Sequence, residues 1–368
     1  MSVSAPSKRL LSLDVLRGMT VFGMILVNNA GGELSYHSLQ HSTWNGMTPC
    51  DLVFPFFLFI MGISTYIALR KFQFHPSGEV IRKILRRTFL ILCIGWAIHW
   101  FEFACEGNFW PFSQLRLPGV LPRIAICYGI VSLMALYIKH NHLKWIAGGL
   151  LIIYTFILCK GNGYAQDSSN ILAIIDQQIL GEAHLYHKSP IDPEGLVSTI
   201  SAIAHTLIGF LCGKLIMETA NLEQKIIKLF VYGFILAATG FLFIEWLPLN
   251  KRIWSPSYVL VTCGLAAMLQ STLIWFIDAK EKKRWSRIFQ IFGVNPLFLY
   301  VLSEVTAIIL NITQTKPIIY NCIHTSITNP YLASAIYSLL FVGVMGIVGY
   351  PLFKKKIYIK ISLVGTLN

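Results

Sequence analysis

Charged side chains are scarce in this chain. They account for 13% of its 368 residues, whereas a soluble globular domain carries about 25%. Hydrophobic residues account for 55% and aromatic residues for 13%, and abundant Trp and Tyr are typical of side chains at a lipid–water boundary. This composition excludes an ordinary soluble domain and predicts an integral membrane protein.

Motifs for metal binding and redox chemistry are also absent. The eight cysteines are scattered, mostly within apolar runs, and no C-x-x-C pair or mixed Cys/His spacing occurs. We therefore expect no metal site, and we expect most cysteines to be buried apolar side chains. A cleavable signal peptide is not predicted, because the first apolar run has no small-residue cleavage pattern.

Apolar runs long enough to cross a membrane occur throughout the chain. The fold class predicted is an all-α integral membrane protein with about ten transmembrane helices, forming one polytopic domain over residues 1–368. The predicted spans are roughly 10–30, 49–69, 88–104, 119–138, 143–160, 196–217, 226–247, 255–277, 288–310 and 331–353.

Basic residues alternate between the two sets of connecting segments. If the N-terminus is cytoplasmic, 22 of the 30 Lys and Arg residues fall in inner segments and 6 in outer segments, while Arg17 and Arg123 lie inside spans. The positive-inside rule then predicts that both termini are cytoplasmic. The net charge of +13 is explained by contact with anionic membrane lipids, so no nucleic-acid partner is expected.

Two outer segments stand out by their polarity. Residues 31–48 contain no Lys or Arg. The extracytoplasmic loop at about 161–195 is unusually long, and loops of that length in a compact fold are functional or disordered. An apolar stretch at 171–180, ILAIIDQQIL, predicts a short surface helix and favours an ordered loop.

The stretch HSTWNGMTPCDLVFPFFLFIMG, residues 41–62, places a polar cluster directly before an apolar run. An aspartate can fix the tautomer of a histidine, so Asp51 and His41 form a candidate pair in which the second ring nitrogen acts as base or nucleophile. A structural role for Asp51 stays open, because Thr48-Pro49 predicts a helix N-cap whose first turn favours a carboxylate.

The first span carries polar residues near both of its ends. Asp14 and Arg17 are three residues apart, which fits either an ion pair on one helix face or an anion site in which Arg17 binds phosphate. Asn28 and Asn29 end the span, and they fit either a helix C-cap or a carboxamide donor for a developing oxyanion.

Further polar residues lie deep in other spans. Arg123 falls in the fourth span, Ser198 and Thr199 open the sixth, and Glu304 falls in the ninth. Small polar residues are often packing contacts between helices, and His205 is expected to be structural. Because an unpaired intramembrane charge is costly, so many polar groups on separate helices predict a central polar cavity.

Several blocks together resemble one protein family, the heparan-α-glucosaminide N-acetyltransferases and their bacterial members, over about residues 9–355. The chain departs from the family pattern at two places: the segment between Asn28 and His41 is longer by two residues, and Pro122 replaces an expected glutamine. The blocks are LSLDVLRGMTVFGMILVNN, HSTWNGMTPCDLVFPFFLFIMG, RLPGVLPRIAICYG, ILGEAHLYHKSPIDPEGLVSTI, NKRIWSPSYVL and FGVNPLFLYVLSE.

The resemblance implies a transmembrane acetyltransferase of the bacterial cytoplasmic membrane. It would transfer acetyl from cytoplasmic acetyl-CoA to an amino sugar or glycan on the far side. The family's active-site histidine corresponds to His41 and an asparagine near the acetyl group to Asn28. With Asp51 these form the expected catalytic set. The residues expected to bind acetyl-CoA are Arg17, Asp14, Arg123, Asn45 and Trp44.

Several alternatives stay open at this stage. His41 either acts as a base or carries the acetyl group. The acceptor is an amine or, in an O-acyltransferase, a hydroxyl of an envelope glycan. A transporter or flippase with a polar-lined path is a rival of a different class. The oligomeric state is also open, with a homodimer among the expected partners.

Overall fold

A computed structural model describes residues 10–187 and 189–359 of the chain. Four of the basic residues used to predict orientation, Lys8, Arg9, Lys188 and Lys360, lie outside the described residues. The described residues form thirteen α-helices and no strand. The helices are α1 Leu11–Asn28, α2 Val53–Arg70, α3 Gly78–Cys105, α4 Val120–Tyr137, α5 His140–Lys160, α6 Ile171–Leu180, α7 Thr199–Glu218, α8 Leu222–Leu242, α9 Pro256–Leu273, α10 Arg287–Val294, α11 Pro296–Ile312, α12 Thr315–Ser326 and α13 Pro330–Lys354.

The all-α membrane prediction is confirmed. Nine of the described helices are long and apolar enough to cross a membrane, and α10 with α11 makes a tenth if the bent pair counts as one span. We call the end of the bundle at which α1 begins the inner end, following the predicted orientation, and the opposite end the outer end.

Two predicted spans differ most from the observed helices. The third was predicted to begin at residue 88, but α3 begins at Gly78. Its start is capped by Ser77, whose hydroxyl accepts the Val80 N–H at 3.3 Å, and a salt bridge between Lys83 and Glu79 at 2.5 Å stabilises its first turns. The basic cluster predicted for a loop therefore lies partly on a helix.

The predicted span 288–310 is not one straight helix, because α10 and α11 meet at a bend of 84°. Proline has no N–H and disfavours a helical conformation in the residue before it, so Asn295-Pro296 interrupts the helix. The Asn295 amide is bonded on both sides by the segment after α13: Nδ2 donates to the Ile357 carbonyl at 2.8 Å, and Oδ1 accepts the Ile359 N–H at 2.7 Å.

Close helix packing holds the centre of the bundle together. A Cβ added at Gly62 of α2 would lie 2.3 Å from the Thr206 carbonyl oxygen of α7, and one at Gly209 of α7 would lie 2.3 Å from the Phe59 carbonyl oxygen of α2. Small residues allow such approach of backbones within a membrane. This fixes α2, which carries part of the site described below.

The predicted surface helix at 171–180 is confirmed as α6. Asn170 caps it by accepting the Leu172 N–H at 2.9 Å. The helix and its flanking loop are docked onto the bundle through an apolar cluster contributed by α5, α6 and the loops around them: Tyr154, Leu158, Leu172, Ala173, Ile191, Val197 and Ile253. The long outer loop is therefore a packed layer over the outer end.

Candidate active site

The short segment before α2 presents Asp51 as a buried carboxylate. A 3-10 turn begins at Pro49 and leads into α2, which confirms the predicted helix start. One carboxylate oxygen of Asp51, Oδ2, accepts the Ser42 N–H at 3.0 Å and the Thr48 N–H at 3.1 Å. This capping arrangement folds the chain back over the helix start and brings His41 beside Asp51.

The second oxygen of Asp51 contacts His41. Asp51 Oδ1 lies 2.7 Å from His41 Nδ1, and the Asp51 side chain is fully buried while that of His41 is 48% exposed. A carboxylate can only accept hydrogen bonds, so Nδ1 carries the proton in this pair and Nε2 is left as the acceptor. A histidine held in this way can accept a proton from a substrate or attack a carbonyl carbon.

Lys251 contacts the same pair, and sequence reasoning missed it. Its Nζ lies 2.9 Å from His41 Nδ1, 3.3 Å from His41 Nε2 and 3.5 Å from Asp51 Oδ1. The ammonium and the Nδ1–H are both donors, so in the tautomer above Lys251 is an ion partner of the Asp51 carboxylate rather than a hydrogen-bond donor to Nδ1. The block NKRIWSPSYVL contained the signal, but its two basic residues read as an ordinary outer loop.

The segment between α8 and α9 is fixed by several contacts with the loop that carries His41. The Asn250 side chain donates to Asn45 Oδ1 at 3.2 Å, and the Gly46 N–H donates to the Leu249 carbonyl at 2.7 Å. The Tyr258 hydroxyl donates to the Asp51 carbonyl at 2.5 Å. These bonds position Lys251 beside His41.

His41 and Asp51 line a cavity of about 580 Å³, which we call the outer cavity. Asn28 lines it too, so all three residues of the expected catalytic set lie around one space. The other lining residues are Val27, Ser42, Gly95, Ile98, His99, Arg116, Val120, Leu121, Pro122, Tyr186, Pro193, Glu194, Lys251, Arg252, Tyr300 and Glu304.

Asn28 and Asn29 at the end of α1 have different roles. The Asn29 side chain caps the helix by donating to the Ile25 carbonyl at 2.8 Å. The Asn28 side chain donates through Nδ2 to Glu304 Oε1 at 3.2 Å. Because an amide nitrogen only donates, Glu304 Oε1 accepts this bond, which orients the amide and leaves the second Nδ2 hydrogen for an oxygen in the cavity.

The outer wall of the cavity depends on an ion cluster around Arg116. The guanidinium donates to Asp192 Oδ2 at 3.1 Å, to Asp192 Oδ1 at 2.7 Å and to Glu194 Oε2 at 2.7 Å, and it lies 4.8 Å above the Tyr186 ring. Burial acts to lower the pKa of Arg116, but the two carboxylates outweigh it and raise that pKa. Sequence reasoning missed this link between segments 76 residues apart.

Arg123 supports the same wall from below. Its guanidinium donates to the Gly195 carbonyl at 3.0 Å and to the Ser198 hydroxyl, and it lies 5.1 Å from the Trp254 ring. It does not line the outer cavity. Asp176 of α6 holds the turn before α7 by accepting the Leu196 N–H at 3.0 Å. Burial raises the pKa of the Asp176 carboxyl to about 6.

Trp44 and Asn45 belong to the loop that carries His41 and do not line the outer cavity. The Trp44 indole N–H donates to the Tyr164 carbonyl at 2.9 Å, which ties this loop to the segment before α6. Asn45 accepts the bond from Asn250. Both side chains therefore connect the loop to its neighbours.

Arg17 lies in a second cavity of about 280 Å³ nearer the inner end, which we call the inner cavity. Its guanidinium bonds Asp14 Oδ1 at 3.2 Å and donates to the Ser64 hydroxyl at 2.7 Å. Arg87 of α3 also lines the inner cavity. Leu121 lines both cavities, so this buried side chain lies between the two spaces.

No cluster of three or more His, Cys, Asp or Glu side chains suited to a metal ion occurs in residues 10–187 and 189–359. The outer cavity instead offers an imidazole paired with a carboxylate, an oriented carboxamide and a lysine ammonium. These groups can move a proton and bind an oxyanion, which suits acyl transfer.

Comparison with known proteins places the chain in one family. The chain is 28% identical to the human protein named heparan-alpha-glucosaminide N-acetyltransferase, over 82% of this chain and 54% of the relative. It is 26% identical to the mouse protein of the same name, over 96% of this chain and 61% of the relative. The chain thus spans between half and two thirds of the length of these relatives. The profile of the family described as heparan-alpha-glucosaminide N-acetyltransferase, catalytic, matches residues 9–240, and this protein belongs to that family.

Proposed function

We propose that this protein is a membrane acetyltransferase that transfers an acetyl group from acetyl-CoA to the amine of an amino sugar or glycan. The observation that carries the proposal is the His41–Asp51 pair, which opens onto a cavity that also contains Asn28. Family membership supports the reaction class, because both curated relatives bear an acetyltransferase name. The native acceptor is an amino sugar in this proposal.

Acetyl-CoA approaches from the inner end, which we propose to be the cytoplasmic side of a bacterial cytoplasmic membrane. Arg17 and Arg87 line the inner cavity, and in this proposal their guanidinium groups bind its phosphate groups. The pantetheine arm then passes Leu121 and carries the thioester into the outer cavity. An extended CoA is comparable in length with the roughly 30 Å hydrocarbon core, so one molecule can connect the two ends.

The chemistry follows from the groups around the outer cavity. The acceptor amine attacks the thioester carbonyl carbon, and His41 Nε2 takes the proton that the nitrogen loses. Asn28 Nδ2–H donates to the carbonyl oxygen as negative charge develops on it. The C–S bond then breaks, the CoA thiolate takes the proton from His41, and the products are an acetamide and free CoA.

Direct transfer is the route we favour over an acetylated His41. In the covalent route the imidazole attacks first, CoA leaves before the acceptor reacts, and ping-pong kinetics result. In the direct route both substrates occupy the cavity together, and a cavity of about 580 Å³ leaves room for a thioester end and one sugar ring. Intersecting lines in a double-reciprocal plot would support the direct route.

Four other residues of the expected site are assigned supporting roles in this proposal. Asp14 orients Arg17. Arg123, Trp44 and Asn45 hold the segments that form the cavity wall. They act on the substrates through these neighbours.

The test uses purified protein in sealed vesicles, with acetyl-CoA on the side of the inner end and glucosamine on the other side. The proposal predicts N-acetylglucosamine on the glucosamine side and an equal amount of free CoA thiol on the acetyl-CoA side. Acceptor accumulation without thiol release would instead identify a transporter. Acetylation of a glycan hydroxyl but of no amine would identify an O-acyltransferase.

A further inference from the structure

Lys251 is the one cation in contact with the His41–Asp51 pair among the described residues. Its side chain is 14% exposed and the Asp51 side chain is fully buried. The ammonium lies 2.9 Å from His41 Nδ1, 3.3 Å from His41 Nε2 and 3.5 Å from Asp51 Oδ1. A partly buried ammonium at these distances exerts a strong Coulomb effect on both partners.

The charges of Lys251 and Asp51 determine whether the His41 imidazole is charged or uncharged. Asp51 already has a cationic partner in Lys251, so a protonated His41 would add a second positive charge to one carboxylate. Without Lys251, an imidazolium would be the only cation beside buried Asp51 and would be stabilised by it. A base or nucleophile has to be uncharged before it reacts.

The other charged or titratable groups around the outer cavity are bonded to other partners or do not pair with Asp51. Arg116 is paired with Asp192 and Glu194, and Glu304 is bonded to Asn28. Cys50, whose Sγ lies 3.1 Å from His41 Nδ1, sits directly before Asp51. Arg252 and His99 also line the cavity, and among the described residues neither is hydrogen-bonded to His41 or Asp51.

We propose that Lys251 is a positioning residue that takes the role of ion partner to Asp51, and so keeps the His41 imidazole uncharged with Nε2 available to the acceptor amine. This role rests on the proposed acetyl transfer for its use, but the charge state of His41 can be measured without that reaction. It assigns a function to the outer segment between α8 and α9, which carries Lys251 and is held against the His41 loop by Asn250 and by Tyr258 of α9.

The test measures how fast diethyl pyrocarbonate, which reacts with the uncharged imidazole, modifies His41 between pH 5 and 9. Peptide mass spectrometry resolves His41 from the other nine histidines of the chain. Lys251→Met removes the charge and keeps the length of the side chain, Lys251→Arg keeps the charge, and Lys160→Met removes an exposed lysine at the end of α5. Lys251→Gln replaces the Met variant if that variant is not monodisperse.

We expect Lys251→Met to move the midpoint of modification up by about one pH unit, so that His41 reacts about tenfold more slowly on the acid side. Lys251→Arg and Lys160→Met should keep the wild-type midpoint. The acid limb of the acetyl-transfer profile should move by the same amount, with the rate recovering at high pH. An unchanged midpoint in Lys251→Met, or a rate loss equal at every pH, would overturn the proposal. A shifted midpoint in a protein that transfers no acetyl group would support the role of Lys251 and refute the proposed function.

Discussion

Asp51 contacts His41 with one carboxylate oxygen and caps the helix start with the other. Oδ1 lies 2.7 Å from His41 Nδ1, and Oδ2 accepts hydrogen bonds from the backbone N–H groups of Ser42 and Thr48. Helix capping and orientation of a histidine were alternatives in the sequence. In the folded chain they are one arrangement, because the cap brings the histidine to the carboxylate.

This arrangement predicts that activity and stability respond differently to substitution at Asp51. Asp51→Asn keeps one oxygen for the capping bonds but presents an NH₂ group to His41, which favours the wrong tautomer. We expect kcat to fall by about 10²–10⁴-fold, with a thermal midpoint within a few degrees of wild type. Asp51→Ala should lose the cap as well, at a cost of about 0.5–2 kcal/mol. Equal kcat in wild type and Asp51→Asn would argue against the dyad.

Asn28 should act in the transition state rather than in binding. Asn28→Ala removes the carboxamide donor, and loss of one oxyanion donor costs about 10²–10³-fold in kcat. The KM for acetyl-CoA should change little. Asn311→Ala, at an exposed position near the end of α11, is the matched control and should behave as wild type. If kcat holds and KM rises in Asn28→Ala, the residue binds substrate without stabilising charge.

Leu121 should control passage between the two cavities. Leu121→Trp places a larger side chain between the outer and inner cavities, so we expect at least a tenfold loss of acetyl transfer. Binding of desulfo-CoA at the inner end should be retained. The measurement pairs steady-state rates with calorimetric titration. Ile130→Trp adds the same ring to the exposed face of α4 and should leave both unchanged. Normal transfer by Leu121→Trp would mean that the thioester reaches His41 by another route.

Asp176 should make stability of the outer layer depend on pH. Burial raises the pKa of this carboxyl from 3.8 to about 6, so the folded state holds the proton more tightly than the unfolded state. Ionisation therefore destabilises the fold above about pH 6, by at most about 3 kcal/mol, and this cost disappears as the pH falls toward 4. Asp176→Asn keeps an oxygen for the Leu196 N–H and removes the ionisation.

Thermal unfolding at pH 5 and pH 8 tests this prediction. Wild type should lose stability between these two values, and Asp176→Asn should lose less and exceed wild type at pH 8. Asp167→Asn provides the control, since Asp167 lies in the same outer loop on the surface. Parallel pH dependence in wild type and Asp176→Asn would show that the carboxyl does not carry the effect.

Hydropathy and loop chemistry were enough to predict much of the fold. Twenty-residue apolar runs have few structural options in a membrane, so the spans and their class followed directly. The helix at 171–180 and the start at Pro49 followed from capping residues and local periodicity. The bend at Asn295 was missed, although Asn-Pro within an apolar run is a signal for a break.

The site was predictable only where its residues are close in sequence. His41 and Asp51 are ten residues apart and share one motif, so their contact could be inferred. Lys251 reaches the same pair from 210 residues away, and Arg116 meets Asp192 across 76 residues. No local pattern encodes those contacts, because they arise from the packing of separate spans.

The most direct measurement of the central claim is the rate of CoA thiol release by purified His41→Gln in the presence of acetyl-CoA and glucosamine. Glutamine keeps polar atoms at this position but has no proton-accepting nitrogen, and His142→Gln at the exposed start of α5 is the matched control. Acetyl transfer through His41 predicts a rate at least about 10²-fold below wild type, with wild-type activity in His142→Gln. Near-normal thiol release and N-acetylglucosamine formation by His41→Gln would contradict the account.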